Sequence, residues 1–228
     1  MIATTIRPFE PADRQALFRI AADTAFFGEP IERYLDDRRV FTDLFYRYYT
    51  DFEPDLCWVA ETGGVVVGFL AGCASSSKQD ETIRRILLPE VLKGLLRRRY
   101  RIGRKTLRYA AALALATLLG EIPPANQTEY PAHLHINLDA AYRGLGLGRR
   151  LMAAYLSQLE QMAVPGVHLH TTNINQAACV LYKRMGFTLI AQRPTRIWKH
   201  LVDKPVVNRL YGKRLIAVPV QETLLKQS

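Results

Sequence analysis

Within twenty residues, His133 to Met152, the hydrophobic period of the chain changes, and that change constrains what the chain can fold into. Leu134, Ile136 and Leu138 alternate with His133, His135 and Asn137, the two-residue period of a strand with one apolar face. Gly144, Gly146 and Gly148 follow. Beyond them Leu151, Tyr155, Leu159 and Met162 recur every three to four residues, as on one face of a helix. The glycines therefore predict a strand-to-helix turn.

Such a turn has a physical use. Residues without a Cβ let the backbone curl until several N–H groups point to one spot. The helix that follows adds unpaired N–H donors and the positive end of its dipole. Arg143, Arg149 and Arg150 surround that spot with positive charge. Together they suit a pyrophosphate, although the same glycines also suit a plain connection. A dinucleotide-binding turn fits worse, because it expects an acidic residue about twenty positions on. Here that region reads Ala163-Val164-Pro165-Gly166-Val167.

Charge bears on the partner. The net charge of +10, from 31 Lys and Arg against 21 Asp and Glu, favours an anionic one: a phosphorylated cofactor, nucleic acid or an anionic membrane surface. With 228 residues, 49% of them hydrophobic, the chain reads as one globular domain over 1–228. Cys57, Cys73 and Cys179 are scattered among apolar residues and read as small buried hydrophobes. Met1 to Arg7 has no apolar signal core, and the longest apolar run, Ala110 to Leu119, is too short to span a bilayer. A cytoplasmic protein is expected.

The remaining elements follow from local pattern. Thr4 to Phe9 is a strand, and Glu10-Pro11-Ala12-Asp13 opens a helix that buries Leu17, Ile20 and Ala21. Phe26 to Phe52 is rich in aromatics. Phe41, Phe45 and Tyr48 have helical spacing and read as core, with a wall for an acceptor substrate as the functional alternative. Gly63-Gly64 joins the strands Leu56 to Ala60 and Val65 to Gly72 as a hairpin. Helices are expected over Thr82 to Arg99 and Lys105 to Leu119, parted by Gly103; the basic stretch Arg97 to Lys105 between them reads first as a solvated helix end or loop. After the glycine turn come a strand from Val167 to Thr171, a helix from Asn175 to Met185 closed by Gly186, extended segments Phe187 to Ala191 and Thr195 to Leu201, and a last strand from Val206 to Ile216. The tail from Gln221 is expected to fray.

Arg143, Gly146 and Gly148 have the spacing of a known signature: Arg or Gln, two residues, Gly, one residue, then Gly or Ala. In this the chain resembles the coenzyme A site of the GNAT (GCN5-related) N-acetyltransferases. Asn175, Ala178, Tyr182 and Gly186-Phe187 resemble the family's second signature, about thirty residues on. The two motifs cover roughly 131–216, nearly the last half. The first half agrees in element order, and 75–126 looks like a helical insertion. The strings from Pro131 to Leu138 and from Gly166 to His170 are also similar to acetyltransferase-like domains of bacterial O-GlcNAcase relatives.

The resemblance implies an α/β (α+β) fold, a mixed, mostly antiparallel twisted sheet flanked by helices. It further implies acetyl-CoA as cofactor and direct transfer of acetyl to a primary amine of a small molecule or peptide. Carried over, the backbone of Ile136, Asn137 and Leu138 pairs with pantetheine, and Arg143, Gly144, Leu145, Gly146, Leu147, Gly148 and Arg149 hold the pyrophosphate. Asn175 bonds the pantetheine arm, and Tyr182 protonates the leaving thiolate, although Tyr182 also reads as core beside Leu181. Many family members carry Glu five residues before the motif Asn. That position is His170 here, so the base is His170, with His135 or water chains through Asn137 as alternatives. His133, His135, His168 and His170 form two His-Leu-His triplets with a spacing that suits a metal. Because family strands splay at this point, a wet cleft is the favoured reading, and no metal is expected. Two other classes stay open. The missing Glu suits an acyl-CoA-binding module without turnover. The +10 charge and Arg97 to Lys105 suit a protein held on nucleic acid, the less favoured partner, or on a membrane surface. A homodimer is compatible with all three.

Overall fold

The computed structural model describes residues 4–215. One seven-stranded sheet runs β1 (Thr4–Pro8), β2 (Cys57–Thr62), β3 (Val65–Cys73), β4 (Ala132–Leu138), β5 (Gly166–Thr172), β7 (Val206–Arg214) and β6 (Thr188–Thr195) in spatial order. Neighbours are antiparallel except β4 and β5. The helices are α1 (Arg14–Asp23), α2 (Arg38–Phe41), α3 (Arg47–Asp51), α4 (Ser76–Thr82), α5 (Leu88–Leu96), α6 (Arg104–Leu118), α7 (Leu147–Gln161) and α8 (Gln176–Arg184). A π-helical turn, Thr42–Tyr46, joins α2 to α3, and another, Ile83–Leu87, joins α4 to α5. This is the expected mixed, mostly antiparallel α/β architecture, with helices α4 to α6 standing between β3 and the central β4.

Local chemistry sets these elements. Gly63 and Gly64 have φ of +58° and +77°, the left-handed pair that a tight hairpin turn needs. Asp13 accepts the Glu10 N–H at 2.8 Å and pairs with Arg7, so it closes the turn before α1 rather than only starting the helix. β3 is apolar on both faces because both are covered. Phe69, Ala71 and Cys73 pack with Leu17, Ile20, Tyr48 and Tyr49 of α1 and α3. Leu70 packs with Leu151, Tyr155 and Leu159 of α7 on the other side.

The feature that positions the site is the parting of β4 from β5. Their ladder holds only Ala132 with Val167 and His133 with His168, whereas β4 stays paired to β3 from His133 to Leu138. At the fork the Tyr155 hydroxyl is shared between the carbonyls of Cys73 (3.0 Å) and His133 (2.8 Å). Gly72 makes this possible, since a Cβ there would lie 2.3 Å from the Tyr155 ring. Beyond the fork one edge of β4 has no strand beside it among the described residues.

Several sequence expectations are corrected. The first insertion helix begins at Ser76, where the Ser75 hydroxyl caps the Lys78 N–H, and not at Thr82, and it ends at Leu96 rather than Arg99. The π turn adds a residue to its helical turn, so Phe45 is exposed, while Tyr46 and Tyr49 turn inward beside Tyr48. Met162 lies past the end of α7 and is exposed. Thr195 to Leu201 is extended only at Thr195; Leu201 N–H then bonds the Trp198 carbonyl at 2.8 Å. This turn delivers Trp198 into a cluster with Phe26, Phe27, Tyr34 and Tyr109. The last strand ends at Arg214; Ile216 and the tail from Gln221 lie outside the described residues.

Candidate active site

Two cavities adjoin along β4. The first is a groove of about 420 Å³ at the open edge, lined by Ile136, Asn137, Leu138, the glycine turn and the α8 face that carries Ala178, Leu181 and Tyr182. Gly144 and Gly146 adopt φ of +78° and +77°, and a Cβ on either would meet nothing within 4 Å. They are glycines for their conformation, and their outward side is open. Gly148 is different. It is buried in the first turn of α7, where a Cβ would sit 3.1 Å from Leu181 Cδ2. That glycine lets α7 and α8 approach, and the turn as a whole opens to the groove rather than forming a sealed connection.

The other groove residues are placed as follows. Leu147 is buried and Leu145 is exposed, so only their main-chain groups are available to the turn. Arg143 donates to the carbonyls of Leu138 (3.2 Å) and Gly28 (3.1 Å), closing the mouth of the groove. Arg149 lies on the exposed first turn of α7. The Asn175 side chain caps α8 by accepting the Ala178 N–H at 3.3 Å. Asn137 is held between two partners: it donates to Thr24 (2.7 Å) and accepts from Tyr46 (3.4 Å). Tyr182 is both core and lining. Its ring packs against Phe187 and Tyr211, and among the described residues its hydroxyl has no hydrogen-bond partner. Burial raises its pKa well above the usual phenol value, so it stays protonated near neutral pH. Thr24, Phe27, Gly28 and Arg184 also line the groove. Sequence reasoning missed them, and Gly28, with φ of +98°, was the one available signal.

The second cavity, about 320 Å³, is lined by His133, His135, His168 and His170, with Ser76, Gln79 and Asp80 from α4 and Pro124, Ala125 and Gln127 from the segment before β4. The strand fork brings the four imidazoles into a row, with successive ring centroids 5.6 Å apart. Their roles differ. Gln79 donates to Tyr49 (2.8 Å), so Tyr49 donates to His133 Nε2 (2.6 Å), and His133 Nδ1–H donates to Ser76 (2.8 Å), whose own proton goes to the Pro131 carbonyl. Both His133 nitrogens are taken. His168 Nδ1–H donates to the Tyr130 carbonyl at 2.8 Å, and His170 Nε2–H to that of Pro123 at 2.9 Å. His170 Nδ1 is thereby left as the acceptor. His135 stands on the cleft floor against Tyr46 and Tyr49.

Desolvation in the crowded cleft lowers all four histidines, more than their mutual repulsion does; only His168 is buried, and His135 and His170 are open to solvent. His135 and His168 fall to about 4 and His133 well below its usual range. For His170 the Pro123 carbonyl partly offsets desolvation by favouring the protonated ring. Near neutral pH the row is therefore uncharged. Among the described residues no three His, Cys, Asp or Glu side chains gather as metal ligands, and all three cysteines are free and buried.

Tyr46 links the two cavities: its ring packs 5.8 Å from His135 of the cleft, and its hydroxyl donates to Asn137 of the groove at 3.4 Å. The candidate acid and the candidate bases thus stand in neighbouring chambers. Sequence reasoning missed Ser76, Gln79, Asp80 and Gln127, which the topology brings in from α4 and from the segment before β4.

Comparison with known proteins agrees with this geometry. A model of the acetyltransferase (GNAT) family matches residues 17–187. A solved structure, SsHAT, superposes with a TM-score of 0.71 at 30% identity, over 94% of this chain and 100% of that one. N-alpha-acetyltransferase RimI of Mycobacterium tuberculosis is 41% identical over 76 residues, 33% of this chain and 43% of RimI. Human N-acetyltransferase 8B is 31% identical over 77 residues, 34% of each. The matches span 34% and 43% of the length of these two curated relatives. Among the described residues no helix is long and apolar enough to cross a membrane.

Proposed function

The chain belongs to the GNAT family of acetyltransferases, and on that premise we propose that it transfers acetyl from acetyl-CoA, the cofactor of the family, directly to a primary amine seated in the histidine-lined cleft. The observation that carries this reading is the fork: β4 loses its β5 partner after His133, and the glycine turn stands at the far end of the exposed edge. The free backbone edge at Ile136, Asn137 and Leu138 suits pairing with the pantetheine amides. The N–H groups of Gly144 to Arg149, with the start of α7, suit its pyrophosphate, and the open space beside Gly144 and Gly146 fits phosphate oxygens. Asn175 and Arg184 line the arm's path.

When bound, acetyl-CoA supplies an acetyl group activated as a thioester. Tyr182, kept protonated by burial and held by Phe187 and Tyr211, gives its proton to the departing sulfur. His170 takes the proton of the attacking amine at Nδ1. The Pro123 carbonyl fixes that tautomer and favours the protonated ring, an advantage that His135, held down to about 4, lacks. The small cleft suits a compact amine or the end of an extended one. The test is thiol release from acetyl-CoA across amines, amino acids, aminoglycosides, polyamines and peptides. Turnover with one class supports the reading. Saturable acetyl-CoA binding with no turnover in any class would make the chain a binding module instead.

A further inference from the structure

The net charge of this protein is not spread over it. Between Ile83 and Gly120 stand ten Lys and Arg and one acid, Glu90, whereas the rest of the chain holds 21 basic and 20 acidic residues. The same stretch holds nine of the 17 large apolar side chains that the described residues leave exposed. Neither feature serves the groove or the histidine cleft.

Both features have a definite arrangement. In α6 the inward stripe is Thr106, Tyr109, Ala112, Leu113 and Ala116, of which only Ala116 is fully buried. The opposite stripe is Leu107, Ala111, Ala114, Leu115 and Leu118, all open to solvent, with Leu118 83% exposed. No charge interrupts the helix after Arg108. Leu88, Leu92 and Leu96 recur at every fourth position of α5 and are exposed too, Leu96 at 86%. Between these helices lies the basic loop. Its backbone is pinned: Asp36 accepts the Gly103 and Thr106 N–H groups at 2.9 Å each, and Asp37 accepts that of Arg101 at 3.0 Å. Tyr100 and Lys105 are held as well, by Asp43 (2.7 Å) and the Glu32 carbonyl (2.6 Å), but the arginine side chains are not. Among the described residues Arg97, Arg98, Arg99, Arg101, Arg104 and Arg108 form no salt bridge.

We propose that the outer face of α6, with the basic loop 97–105, docks this protein on an anionic phospholipid surface. The apolar stripe is wide enough to enter the boundary between headgroups and acyl chains, and the arginines at its N-terminal end meet the lipid phosphates. Complementarity selects this occupant. A second copy docked through the same face would oppose two unpaired arginine clusters. Nucleic acid would satisfy the arginines and leave the leucines in water.

Flotation of the full chain with vesicles tests this, comparing phosphatidylcholine alone with a mixture containing phosphatidylglycerol. Binding is expected only to the mixture. Arg97→Gln, Arg98→Gln and Arg99→Gln together should weaken it on the order of a hundredfold, about fivefold per arginine. Leu107→Ser, Leu115→Ser and Leu118→Ser together should weaken it at least about tenfold. These six side chains are exposed, so the variants keep the fold, which circular dichroism verifies. Leu118→Trp should shift its emission to the blue on the anionic vesicles. No binding, or equal binding by the leucine variant, overturns the proposal. So does a concentration-dependent dimer that the leucine substitutions abolish, and so does tight DNA binding that they leave intact.

Discussion

The groove and the histidine cleft share β4 as a common wall, yet they are built from different materials. One wall of the groove is largely main chain: the free edge of one strand, two left-handed glycines and the first turn of one helix, all from 136–149. Its second wall, from Ala177 to Arg184, follows within forty residues. The cleft is made of side chains from separate segments, Ser76 to Asp80, Pro124 to Gln127, β4 and β5, and four of them are histidines with shifted pKa values. A site whose partner is constant can be built from backbone and kept local. A site whose partner varies between relatives is assembled from loops and insertions. Variants that separate the two materials test this contrast.

The largest effect belongs to the glycine turn. Gly146→Val puts a β-branched side chain at φ +77°, a conformation that costs an ordinary residue about 1–2 kcal/mol and a branched one more. The N–H cradle is lost, and acetyl-CoA affinity measured by calorimetry should fall at least about a hundredfold with the circular dichroism unchanged. Gly148→Ala provides the control. Its Cβ would press 3.1 Å from Leu181, which moves α8 and lowers the melting temperature while weakening binding much less. Equal losses in the two variants would mean that the cradle is not the binding element.

Next comes Tyr182→Phe. Removing one hydroxyl leaves the packing against Phe187 and Tyr211, so affinity for acetyl-CoA should hold while kcat falls about 10²–10⁴-fold. Normal turnover would return Tyr182 to the core and nothing more.

The contrast also accounts for what was legible in the sequence. The strand, the glycines, α7 and the Asn175 to Phe187 motif depend on spacing over a few residues, and they appeared where expected. Long-range features did not. The helical spacing of Phe41, Phe45 and Tyr48 was read as a core face, but the π turn leaves Phe45 exposed and puts Tyr46 and Tyr49 inside. Asn175 was expected beside pantetheine, and its oxygen also caps α8. Each histidine was visible, but not that Ser76 and Tyr49 would occupy both nitrogens of His133. The residues that complete the cleft lie in α4 and in the segment before β4, where no local signal connects Asp80 or Gln127 with β4.

A smaller effect is expected at His170. In the parent, kcat/KM should rise through a limb below the usual imidazole pKa near 6.5, because desolvation lowers that of His170, and then flatten. His170→Ala should lose about 10²-fold at neutral pH and keep rising at alkaline pH, where the amine sheds its own proton. An unchanged profile would move the base to His135.

The smallest effect concerns stability, and it distinguishes the titrating cleft from the non-titrating groove. His168 is 6% exposed. Burial holds its pKa to about 4 against an ordinary 6.5, although its bond to the Tyr130 carbonyl favours protonation. Above pH 6.5 the ring is neutral in both folded and unfolded chains, and its full stabilising effect is present. As the pH falls from 6.5 towards 4 the unfolded chain binds a proton that the folded chain refuses, so stability is lost across that window. One such proton contributes a slope of about 1.4 kcal/mol per pH unit at most. The other three histidines shift in the same direction and steepen it. In His168→Asn the amide nitrogen can replace Nδ1–H in the bond to Tyr130 without titrating. Urea unfolding at several pH values between 7 and 4.5 should then give a shallower slope than the parent by up to that amount, with little change at pH 7. Acetyl-CoA affinity should stay flat over the same range in both proteins, since no histidine lines the groove. An unchanged slope would mean that His168 is already protonated in the folded state, and that the row of four imidazoles is not the neutral surface described above.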